Sequence, residues 1–79
     1  MKLDTVIIDD AVRRTLPATV AQLRAATGVS TPTLAASLKR LGRLSCVTRT
    51  AAHVGAADVW QEAPGATWKH LRDMGVHLG

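Results

Sequence analysis

The sequence predicts a mostly helical fold with one small β-hairpin: a three-helix core, two short strands and a short C-terminal helix. Three observations predict it. Residues 19–41, TVAQLRAATGVSTPTLAASLKRL, read as two short helices joined by a tight turn. Residues 44–62 hold two stretches that suit strands, around an Ala- and Gly-containing loop. The chain has 79 residues and is 47% apolar, which allows one small domain with a modest core and argues against disorder.

The first helix is expected over about residues 4–16, capped by Asp4 or Thr5. Ile8, Ala11, Val12 and Leu16 share a face at helical spacing, with Asp9, Asp10, Arg13 and Arg14 outside it. The Asp residues sit towards the N-terminus and the Arg residues towards the C-terminus, as the helix dipole favours. Pro17 ends this element, because Pro has no N–H to donate and its ring clashes with a continuing helix.

The second helix is expected over about 20–27. Thr19 followed by Gln22 is a capping-box pattern, and Val20, Leu23 and Ala26 repeat along one face. Gly28 suits the positive φ at which a chain leaves a helix, and Val29 is placed to plug the angle between helices. Ser30 or Thr31 can cap a third helix over about 31–41, with Pro32 harmless in the first turn. Leu34, Leu38 and Leu41 form its buried stripe, and Gly42 is the expected stop.

Leu44 to Thr50 and Ala57 to Glu62 are the expected strands, with Val59 and Trp60 on opposite faces of the second. Ala51 to Gly55 is the loop between them. Pro64-Gly65 signals a turn, and Thr67 can cap a last helix over about 67–74, stopped by Gly75. Trp60 is expected over the small core. Trp68, Leu71 and Met74 form an apolar strip with two open readings: pairing with a second copy of the chain, or packing back on the first helix.

Charge is distributed unevenly. The net charge is +4, yet residues 13–57 contain seven basic residues and no acid, whereas both flanks are net acidic. The basic charge therefore coincides with the paired helices and the first strand, as on a phosphate-binding face.

The run Thr-Val-Ala-Gln-Leu from Thr19, Thr-Gly-Val-Ser from Thr27 and the leucines at 34, 38 and 41 resemble the helix-turn-helix of winged-helix transcription regulators, such as the MarR, ArsR and IclR families. The resemblance extends over Arg43 to Ala63, the place of the wing, and so covers about four-fifths of the chain. It implies a winged helix-turn-helix fold, double-stranded DNA as partner and the 31–41 helix as the recognition helix. The expected DNA-binding residues are Thr31, Thr33, Ala36, Ser37, Lys39, Arg40, Arg43, Arg49 and His53. Thr31, Pro32, Thr33, Ala35, Ala36 and Ser37 are the expected outward positions near the helix start, and none is a bidentate base reader. Lys39, Arg40 and Arg43 are expected on phosphates. The size resembles that of small regulators of phage or mobile elements, a homodimer suits two-fold operators, and no effector is implied. Two alternatives stay open: a winged helix that contacts another protein through its Ala-rich face, and binding at replication or partition sites.

Nothing points to an enzyme. Asp9 and Asp10 are adjacent, so on a helix they diverge, and a dipole role is expected of them. Cys46 stands alone, which excludes an internal disulfide, and is expected to be a half-buried strand residue in a reducing, cytoplasmic setting. His53, His70 and His77 have no zinc-site spacing, so no metal or cofactor is expected. No stretch has the length and apolarity of a membrane span, and the first ten residues do not resemble a signal peptide.

Overall fold

A computed structural model describes residues 3–50 and 57–77. The elements in order are α1 (Leu3–Thr15), α2 (Val20–Thr27), α3 (Thr31–Arg43), β1 (Val47–Thr50), β2 (Val59–Glu62) and α4 (Lys69–Asp73). The fold is mostly helical, with one antiparallel hairpin, and its layout is compatible with a winged-helix arrangement. Among the described residues no helix is long and apolar enough to cross a membrane.

The α2–α3 unit forms for the reasons its sequence advertises. The Thr19 hydroxyl accepts the Gln22 N–H at 3.2 Å, and the Gln22 side-chain oxygen accepts the Thr19 N–H at 2.8 Å. This closes the capping box. Gly28 leaves the helix at φ 72°, its N–H bonded to the Arg24 carbonyl at 2.9 Å, a conformation that costs any residue with a Cβ. Val29 packs against the core at the turn. Ser30 holds the N-cap position of α3, but its hydroxyl bonds that of Thr33 rather than the backbone.

Leu23, Leu34, Leu38 and Leu41 are fully buried at the centre, joined by Val6 and Val12 of α1, Val47 of β1, and Trp68 and Leu71. On α2 only Leu23 is buried; Val20 is half-buried and Ala26 exposed. So short a helix meets the core through Leu23, with Val20 packed against its edge.

β1 and β2 pair in the register Val47 with Glu62, Thr48 with Gln61, Arg49 with Trp60 and Thr50 with Val59. The far edge of β2 is also occupied. Ala18 and Trp60 exchange backbone hydrogen bonds of 2.9 and 2.8 Å, so the extended residue between α1 and α2 adds a short third strand position. Trp60 is half-buried against the core, and the hairpin is thereby tied to the helices.

Several element boundaries differ from expectation. α1 begins at Leu3, and Asp4 lies inside its first turn rather than capping it. Its buried residues are Val6, Asp9 and Val12; Ile8 and Ala11 are only half-buried. The helix is rolled so that a carboxylate faces inward, which side-chain partners make tolerable, as described below. α3 continues through Gly42 to Arg43, and the left-handed turn that follows falls on Ser45, at φ 59°. Leu44 and Ser45 therefore belong to a turn, and the first strand starts at Val47. α4 is shorter than expected and is not capped by Thr67. Trp68 takes the N-cap position at φ 53°, its carbonyl accepting the N–H groups of Leu71 and Arg72 at 3.0 and 3.2 Å. Gly75 leaves the α4 end at φ 89°, as its position suggested.

Candidate nucleic-acid interface

Burial of Leu34, Leu38 and Leu41 fixes which side of α3 meets solvent. Pro32, Ala36, Lys39 and Arg43 follow one another at i, i+4, i+7 and i+11, a stripe opposite the leucines, and all four are exposed. Thr31, Thr33 and Ala35 flank it, also exposed. The stripe is smooth and uncharged in its first half and cationic in its second. Lys39 and Arg43 make no ion pair with any described residue, and neither does the exposed Arg24 of α2.

Two residues expected on this face are not on it. Ser37 is 0% exposed and points into the protein. Its hydroxyl donates to Asp9 Oδ1 at 2.7 Å. Arg40 is bound to the same carboxylate: Nε donates to Asp9 Oδ2 at 3.1 Å and Nη2 donates to Oδ1. Its side chain keeps only 30% of its exposure. The His70 ring of α4 completes the set, with Nε2 3.3 Å from Asp9 Oδ2.

The buried Asp9 carboxylate is thus shared by α1, α3 and α4. A buried carboxylate without partners is strongly disfavoured, whereas one with a two-pronged guanidinium, a hydroxyl and an imidazole is satisfied. Arg40 is accordingly a latch between helices, and its charge is spent internally. The dipole role expected of Asp9 gives way to this one. Asp10 instead pairs with Arg13 at 2.8 Å and Arg14 at 3.1 Å on the surface of the same helix. Asp9 lies three residues from both Val6 and Val12, on the buried stripe of α1, a spacing that signals its burial but not its partners.

On the hairpin, Arg49 is exposed, stacks 5.8 Å above the Trp60 ring and pairs with Asp58 at 3.3 Å. The face carrying Thr48, Thr50, Val59 and Gln61 is the other one. Gln61 is exposed, and one of its amide hydrogens reaches the Thr50 hydroxyl at 3.3 Å. Sequence reasoning passed over Gln61. It has the side-chain type that reads base edges, and the other glutamine, Gln22, is committed to the capping box. His53 and the loop around it lie outside the described residues.

The C-terminal strip does not offer a surface for a second copy. Trp68 and Leu71 are buried in the core, and only Met74, 44% exposed, faces solvent. Of the two readings of this strip, packing within the chain holds. The Trp68 Nε1–H is buried without a partner among the described residues. Cys46 is fully buried just before β1, more deeply than expected. Burial pushes its thiol above the usual range, reinforced by the charges of Asp9 and Glu62 and partly opposed by a backbone hydrogen bond from Trp68. A protonated, enclosed thiol is a poor nucleophile.

Comparison with protein-family models, curated proteins and solved structures yields no match. The functional reading therefore rests on the geometry itself.

Proposed function

We propose that this chain is a small winged helix-turn-helix domain that binds double-stranded DNA, with α3 as recognition helix and the β1–β2 hairpin as wing. One observation carries the reading: the exposed stripe of α3 ends in two cations, Lys39 and Arg43, that make no ion pair among the described residues, within a 45-residue stretch, 13–57, that contains no carboxylate. A helix presented this way fits the major groove, and cations at its far end meet phosphates. Thr31, Thr33 and Ala36 at the near end offer hydroxyls and a methyl to base edges. On the wing, Gln61 with Thr48 and Thr50 lies on one face of the hairpin and Arg49 on the other, so one of these two faces extends the surface. Regulation of transcription is the role that this arrangement supports best.

The smooth half of the stripe, Pro32, Ala35 and Ala36, favours a second reading. A surface with no long donors also suits contact with another protein, as in a winged-helix inhibitor or assembly factor.

Replacing Lys39 and Arg43 together by Ala separates the two. Both side chains are exposed, so the fold is expected to persist. Affinity for every duplex should fall alike, and the slope of log affinity against log salt should flatten by about two units. An unchanged slope removes α3 from the DNA surface.

A further inference from the structure

With Trp68 and Leu71 buried, the most exposed large apolar side chains among the described residues lie on α1. Leu3 and Ile7 are 65% and 58% exposed. Because Val6, Asp9 and Val12 face the core, Leu3, Ile7, Ala11 and Arg14 form the opposite stripe. Beside it, an open groove of about 410 Å³ runs between α1 and α2, lined by Ile7, Ala11, Thr15 and the Asp10–Arg14 ion pair on the α1 side and by Ala26 and Thr27 on the other.

We infer that this face pairs with the same face of a second copy, the two α1 helices lying antiparallel across a two-fold axis at the level of residue 9. The occupant is identified by self-complementarity in a single register. When two identical helices run antiparallel about that level, Ile7 meets the partner's Ala11 and Ala11 meets the partner's Ile7. Each large side chain finds a small one, and the isoleucine enters the groove that Ala11, Thr15 and Ala26 leave open. The same register sets Asp4 against the partner's Arg14 at both ends, and Leu3 against the partner's Thr15. Arg14 is exposed and touches Asp10 at 3.1 Å, so its guanidinium can bridge Asp10 and the incoming Asp4. Antiparallel helix dipoles add to the fit. A parallel pairing brings like charges and like-sized side chains together and lacks these features. The two-fold interface is isologous, so each contact occurs twice. This inference stands independently of DNA binding.

Sedimentation equilibrium of the intact chain tests it. The apparent mass should rise with concentration from 8.4 kDa towards twice that value. Ile7→Glu should remain folded by circular dichroism and weaken self-association by about tenfold or more, since it places a charge in an apolar contact made twice. Arg14→Glu should weaken it as well, by setting like charges opposite Asp4. Combining Arg14→Glu with Asp4→Arg should restore the dimer, because the pair is reversed and not lost. If Ile7→Glu fails to fold, the charge-reversal set decides alone. A parent chain that stays monomeric at the highest concentration reached, a dimer indifferent to Ile7→Glu, or a double reversal that fails to restore pairing overturns the inference.

Discussion

Asp9→Ala should remove a large fraction of the protein's folding stability. The substitution strands the Arg40 guanidinium, which loses both of its bonds to the carboxylate, and it orphans the buried Ser37 hydroxyl. Breaking a buried ion pair by removing one partner costs roughly 3–5 kcal/mol. Arg40 retains partial solvent contact and can turn outward, which favours the lower end of that range. A domain of this size has a total stability on the order of 4–12 kcal/mol, so the loss is a large fraction of it. Urea denaturation followed by circular dichroism gives the measurement. A companion variant, Asp9→Leu with Arg40→Met, removes both charges and should recover much of the lost stability, because the pair is costly to break and not costly to replace. An Asp9→Ala protein with the parent's midpoint would show that the carboxylate does not join α1, α3 and α4.

Trp68→Ala should be comparably damaging, by about 3–5 kcal/mol, through the cavity it opens beside Leu71 and Cys46. The result bears on the reading of the C-terminal strip. A folded Trp68→Ala monomer would mean that the indole serves an interface, whereas loss of folding places it in the core. Trp68→Phe should cost distinctly less. The indole N–H makes no hydrogen bond with the described residues, so its removal forfeits only volume. Thermal unfolding of the two variants side by side provides the comparison.

These two residues also mark where sequence reasoning reached its limit. The α2–α3 unit was legible because its signals are local. The capping box, Gly28 and the leucine spacing each act within a few residues of themselves, and the structure forms them as the spacing implies. Asp9 was misjudged, and Trp68 left between two readings, because their environments are set by residues far along the chain. Nothing near Asp9 reveals that Ser37, Arg40 and His70 converge on it from two other helices. A carboxylate is ordinarily an outward residue, and that prior is overturned only by partners that lie 28, 31 and 61 positions away.

The same reason explains the candidate site. Thr31, Thr33, Ala36, Lys39 and Arg43 are exposed because the leucine stripe opposite them fixes the helix rotation. Ser37 and Arg40 leave the face because the partner that draws them inward is on α1. Removing Arg40 from the list of phosphate contacts lowers the cationic count of α3 but sharpens the face to Lys39 and Arg43. Gln61 enters for a comparable reason: its exposure follows from a strand register that composition does not reveal.

Titration of the intact chain with a mixed-sequence duplex at about 50 and about 200 mM salt tests the central claim most directly. A DNA surface with two or more phosphate contacts predicts measurable binding at the lower salt and a loss of roughly tenfold or more in affinity at the higher. Absence of binding at the lower salt, with the protein folded, would contradict the account and turn the exposed face of α3 towards a protein partner.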